Sequence, residues 1–144
     1  MTPSELKESP KPTLRIVTGI LSVLLAAAIF YFSTIPGSGL PPHPEFTNNI
    51  AHFCLYLLLG VLLTLTLNSP KRALWLTGLL AVIIASLYGA TDELHQIFTV
   101  GRTPDVMDWL TDTAGALVGA AATIWFLSAK KVKRSRARDQ GLKR

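Results

Sequence analysis

Four long apolar blocks, separated by short polar and turn-forming segments, dominate the pattern along the chain. They cover about residues 14–32, 48–67, 73–98 and 105–128. Each comes near the roughly 20 residues that a helix rising about 1.5 Å per residue needs to cross about 30 Å of hydrocarbon. Within a block the apolar residues run on continuously instead of alternating, which argues against strands, and a chain of 144 residues has no room for a closed barrel on that pattern. The pattern predicts an all-α fold, a four-helix bundle embedded in a membrane.

The segments between the blocks carry turn chemistry. Residues 34–44 hold four prolines and two glycines, which break the helical hydrogen-bond ladder, so they read as an exposed loop. Residues 68–72 read as a tight helical hairpin, with Ser69 as N-cap and Pro70 at the first helical position. Thr103 and Pro104 repeat that signature ahead of the fourth helix. With no internal repeat and no second domain visible, the organisation is an N-terminal tail over 1–13, a transmembrane domain over 14–128 and a basic tail over 129–144.

Composition agrees with the pattern: 49% of residues are hydrophobic, 16% are charged, and mean hydropathy is +0.39. A solvated domain of this size carries more charge than that. The charges then set an orientation. Thirteen of the fourteen Lys and Arg residues precede the first helix, join the second to the third or follow the fourth, and Arg102 alone falls on the other side. The positive-inside rule makes the first side cytoplasmic, so both termini are expected in the cytoplasm of a bacterial cell and the chain in its plasma membrane. Trp75 and Trp125 near the inner charges, with Trp109 and Tyr31 near the outer ends, fit interfacial belts. A signal peptide cleaved after residues 26–28 is the competing reading of the N-terminus; the apolar run continues through Phe32, which favours a retained helix. The basic tail anchors topology or meets anionic lipid. A nucleic-acid role finds no support, and the lone Cys54 can form no internal disulfide.

Polar chemistry is concentrated in the outer half. Six of the nine acidic residues and all three histidines fall on the outer side or in the outer half of a helix. Ionisable groups within a span are costly, and those present usually face the bundle interior and mark a site. Their spacing makes them converge. On the second helix His52, Tyr56 and Gly60 recur every four residues; on the third, Ala81, Ala85 and Gly89 form a small-residue stripe continued by Tyr88, Asp92, His95 and Gln96. On the fourth, Asp105, Asp108, Asp112, Gly115 and Gly119 follow a 3,4,3,4 rhythm. Three helices are therefore expected to pack on small residues in their inner halves and to open outward into a shared polar pocket. Each polar residue also has a plainer reading. Asp105 fits a cap on the fourth helix, His52 a hydrogen bond to Asn48 or Asn49, Arg102 a loop tether, and Glu93, turned about 100° from Asp92, a solvated position. Asp112, about two turns into the span, resists such a reading.

These stripes match a known pattern. The runs His52 to Gly60, Tyr88 to Arg102 with its Asp92-Glu93-x-His95-Gln96 core and Gly101-Arg102 ending, and Asp105 to Gly119 resemble the VanZ-like family over about residues 48–120. The resemblance implies a small multi-helix membrane protein of the cell envelope and a link to low-level teicoplanin resistance. Members often carry an Asp-Lys pair where this chain has Asn48 and Asn49, and often Asn where it has Asp112.

Three functions are compatible with these residues. The preferred one is a non-catalytic protein binding an amphipathic ligand, a lipid-linked cell-wall intermediate or a lipoglycopeptide, through Tyr88, Gln96, His52 and Arg102. The second is a membrane enzyme or metal protein acting on a lipid headgroup through His52, Asp92, Glu93, His95, Asp108 and Asp112, although no recognised metal spacing is present and no cofactor is implied. The third is a proton-coupled carrier relaying through Asp92, His95 and Asp112, which would call for a homo-oligomer because four helices enclose little volume.

Overall fold

The computed structural model describes residues 12–36 and 45–141. The N-terminal tail up to Lys11, most of the Pro/Gly loop with His43, and the last three residues lie outside the described residues, as do the side chains of residues 45–48, among them Glu45 and Asn48, and of Arg138. The described residues form four helices and no strand: α1 (Pro12–Ser33), α2 (Glu45–Leu67), α3 (Leu74–Gln96) and α4 (Val106–Gly141). All four are long and apolar enough to cross a membrane.

The exterior is apolar. Ile16, Val23, Leu24, Leu87, Leu94 and Phe126 are all exposed, as expected when the surrounding solvent is hydrocarbon. The interior is made of small and hydroxylated residues. Ser22, Thr64, Thr77 and Thr123 are buried and turn their hydroxyls back onto carbonyls one turn earlier, at 2.7–3.2 Å, so that no donor is left facing lipid.

Small residues set the helix packing. The most extensive interface is that of α2 with α4, followed by α3 with α4, while α1 lies chiefly on α2. Along the α2–α4 seam a Cβ on Gly115 would strike the carbonyl oxygen of Phe53, one on Gly119 that of Leu57, and one on Gly60 that of Ala116. The backbones meet because no side chain stands between them. Farther along, Gly78 receives Ile124, and Ala81 and Ala85 are fully buried. α1 is pinned by the Thr66 hydroxyl on that of Thr18 at 2.9 Å and by Arg15 Nε donating to the Thr66 carbonyl at 3.1 Å. At its other end Tyr88 of α3 donates to the Ala26 carbonyl at 2.6 Å.

Several helix ends differ from the sequence expectation. Ser69 does not cap α3: its Oγ accepts from Lys71 N at 3.4 Å inside a turn, and the helix starts after Ala73 with no side-chain cap. The short turn leaves Arg72 free to bond the Leu67 carbonyl at the end of α2, at 3.2 Å. Thr103 does not cap α4 either; Asp105 does, its Oδ1 accepting from Met107 N at 2.8 Å. α3 stops at Gln96 instead of about 98, tightening into turns in which Phe98 and Thr99 bond carbonyls three residues back, at 3.0 Å. Gly101 closes this connection at φ 75°, a left-handed conformation that glycine adopts without strain. α4 runs on through residues 129–141, where the sequence reading places a separate tail. That stretch contains no breaker before Gly141 and is rich in Lys, Arg and Ala, all strong helix formers, so the ladder persists beyond the apolar part.

Candidate functional site

The close α2–α4 seam carries His52 and Asp112 to the same level. His52 Nδ1 lies 3.0 Å from Asp112 Oδ1, with the carboxylate accepting. His52 is therefore bonded across the bundle to α4; the side chain of Asn48, one of the two partners considered on its own helix, lies outside the described residues. Asp112 is fully buried, and Gly89 of α3 makes its place: a Cβ there would sit 3.2 Å from Asp112 Oδ2 and 3.4 Å from Trp109. The indole Nε1 of Trp109 donates to the Ser86 carbonyl at 3.0 Å, and the Ser86 and Thr113 hydroxyls bond at 2.9 Å, fastening α3 to α4 on the next turn.

Tyr56, Asp92, Gln96 and Glu93 fill the rest of the converging face. Tyr56 is 0% exposed and Asp92 2% exposed, and the Tyr56 ring packs 6.3 Å from that of Tyr88. Glu93 is not solvated; it is 8% exposed, and its Oε2 accepts the backbone N–H of Asp105 at 2.7 Å. The cause is the short α3–α4 connection, which folds the start of α4 back over the last turn of α3. Helix geometry alone places Glu93 about 100° from Asp92, and that second side is covered as well.

The remaining candidates occupy the periphery. His95 packs its ring 4.6 Å from that of Phe30 on α1. Arg102 donates from Nε to the Ile35 carbonyl at 3.5 Å, tying the α3–α4 connection to the end of α1, and it lies within electrostatic reach of Asp92. Asp108 lies within electrostatic reach of His52, Glu93 and Asp112. Asp105 is exposed and serves as the α4 cap.

The three stripes thus meet, but their side chains close on one another instead of lining an open outward pocket. The opening lies to the side. A cleft of about 380 Å³ runs between the end of α3 and the start of α4, walled by Ala90, Leu94, Ile97, Pro104, Val106 and Trp109 and bordered by Glu93 and Asp105. Its size is that of a small-molecule pocket. Sequence reasoning missed two members of this region. Trp109 had an interfacial reading, yet it forms a wall of the cleft. Ser33, at the end of α1, is buried and faces Asp92; a hydroxyl closing an apolar helix was its one sequence signal.

Comparison with known proteins bears on the whole bundle. The family model described as VanZ/LLP1 matches residues 8–127, which include all of α1 and the membrane part of α4. The chain belongs to the VanZ/LLP1 family. No curated protein and no solved structure matches it. Membership in VanZ/LLP1 takes in the first helix, beyond the 48–120 stretch in which the sequence motifs lie. The contacts of α1 fit that extent, because Ser33, Ala26 and Phe30 touch the motif residues Asp92, Tyr88 and His95. Among the described residues, no group of three or more His, Cys, Asp or Glu is placed to hold a metal ion in this VanZ-family chain.

Proposed function

We propose that this multi-pass VanZ-family protein resides in the bacterial cell membrane and binds an amphipathic ligand at the outer end of α3 and α4. The observation that carries the reading is the cleft itself. Its walls are hydrocarbon and an indole ring, suited to an acyl chain, with the exposed Asp105 at its rim. Asp105 favours a head that carries an amine or many hydroxyls. Arg102 is the one Lys or Arg of the outer side and Asp105 the exposed charge of the rim, which favours a lipoglycopeptide such as teicoplanin over a lipid-linked pyrophosphate. Lowered teicoplanin susceptibility is the phenotype this reading entails.

The test uses Trp109 as reporter. Trp75 and Trp125 are exposed and lie away from the cleft, so Trp75→Phe and Trp125→Phe leave a single indole in it. Teicoplanin added to that protein in detergent is expected to change Trp109 emission saturably. Ala90→Phe, which fills the cleft, should weaken the response at least about tenfold, the equivalent of about 1.4 kcal/mol. An unchanged titration in the filled variant sinks the assignment.

The orientation has its own test. Cysteine labelling in a Cys54→Ser background is expected to find position 100 accessible from outside and positions 71 and 140 only from the cytoplasm. An outward-facing position 140 would invert the bundle and move the cleft to the cytoplasmic side.

A second reading, catalysis on a lipid headgroup, draws support from one observation. A histidine oriented by a carboxylate at 3.0 Å has the form of a general base. Headgroup turnover that is lost in His52→Gln while the fold remains would favour it.

A further inference from the structure

The buried polar atoms do not balance. Among the described residues, six buried side-chain atoms have no hydrogen-bond partner: Asp92 Oδ1 and Oδ2, Asp112 Oδ2, Glu93 Oε1, Tyr56 OH and Ser33 Oγ. Four are carboxylate oxygens, which accept, and the two hydroxyls can donate one hydrogen each. Turned inward, the two hydroxyls can serve at most two of these four oxygens. All six atoms belong to one region. The Tyr56 hydroxyl lies within electrostatic reach of Asp112, Asp92 and Glu93, and Ser33 faces Asp92. A buried acceptor without a partner is costly, and nature's few exceptions usually accommodate an ion, a water or a function.

Charge is unbalanced in the same direction. Asp92, Asp112 and Glu93 share this volume, and Asp108 acts on it from the next turn. Among the described residues, those acting on Asp92 from the basic side are Arg102 at the edge and two imidazoles, His52 and His95. His52 is already held by Asp112 Oδ1.

We propose that the Asp92 carboxylate, the Tyr56 and Ser33 hydroxyls and Asp112 Oδ2 form a buried binding site for a sodium-sized monovalent cation. The donor set is oxygen throughout, which suits a hard ion and not a soft metal. A divalent ion would need more carboxylates in direct contact than the cluster offers, and no group of three acidic, His or Cys side chains converges on a point among the described residues. The hydroxyl of Tyr56, itself 0% exposed, is the feature that an acidic cluster alone does not explain: a phenol placed among carboxylates at the centre of an apolar bundle supplies a neutral oxygen ligand. The site is distinct from the acyl cleft, and its test involves no lipid or antibiotic, so either reading can fail alone.

The experiment follows the thermal midpoint of the full chain in detergent, at fixed pH and constant ionic strength, as choline chloride is exchanged for sodium chloride. A saturable rise is expected, of about 3–6 °C when sodium reaches tenfold its Kd. Asp92→Asn should keep its helical circular dichroism and lose the sodium response. Tyr56→Phe, which removes one neutral oxygen, should shift the sodium midpoint severalfold upward, and it decides the matter if the Asp92 variant does not fold. A midpoint that depends on pH but on sodium at no pH would mean that protons balance the cluster and would overturn the proposal. A wild-type sodium midpoint in Tyr56→Phe would remove the phenol from the site and overturn it equally.

Discussion

Gly119→Val is expected to lower the thermal midpoint in detergent by about 9 °C or more, or to prevent assembly of the bundle. A side chain at this position meets the carbonyl of Leu57, which is backbone and cannot rotate aside. Overpacking a well-filled core costs about 1–3 kcal/mol when side chains can adjust. Here the helices themselves must part, so a loss of about 3 kcal/mol is a lower bound, and for a chain of this size each kcal/mol is worth about 3 °C. Gly115 abuts the Phe53 carbonyl one turn away, so the seam opens over its length and takes the His52–Asp112 contact with it. Ala122→Val, on an exposed face of the same helix, is the control and should stay within about 0.5 kcal/mol of wild type. Equal melting of the two variants would show that α2 and α4 do not approach as described.

Asp112→Ala is expected to destabilise by about 1.5–3 kcal/mol, the range for a hydrogen bond to a charged group, while Asp112→Asn stays close to wild type. The asparagine carbonyl still accepts from His52, and its amide has the Gly89 recess to occupy. A double-mutant cycle with His52→Ala isolates the pair: a coupling of about 1–3 kcal/mol is expected, and a coupling below about 0.3 kcal/mol would reduce the 3.0 Å contact to mere proximity.

These two residues also mark how far the sequence could be read. Apolar block length was enough for four helices, because hydrocarbon leaves a spanning segment few alternatives. The every-fourth-residue rhythm brought Gly60, Gly115 and Gly119 onto facing stripes, and those glycines do form the seam. Partner choice was another matter. Periodicity gives the face of a helix but not the depth at which it meets its neighbour, so the link from His52 to Asp112, sixty residues apart, was out of reach. Glu93 shows the same limit: its burial depends on where the α3–α4 connection folds, and that is set by Gly101 and the Asp105 cap together, not by α3 alone. Ser33 was hard to read because its one signal, a hydroxyl closing an apolar helix, lies outside the motif runs, and its contacts appear only once the bundle is assembled.

The continuity of α4 has a mechanical consequence. Its 36 residues amount to about 54 Å of helix, some 24 Å more than the hydrocarbon thickness. Its start walls the cleft and its far end carries Lys130, Lys131, Lys133, Arg134 and Arg136 on a stiff projection. Charge at the tip stands more than one Debye length of about 8 Å from the last membrane-embedded turn, so salt decouples it from lipid far more readily than it does Lys130. The helix is also a lever: with about 33 Å between Gly119 and its end, a tilt of 10° at the α2–α4 seam swings the tip by roughly 6 Å, carrying motion at one membrane face to charges beyond the other.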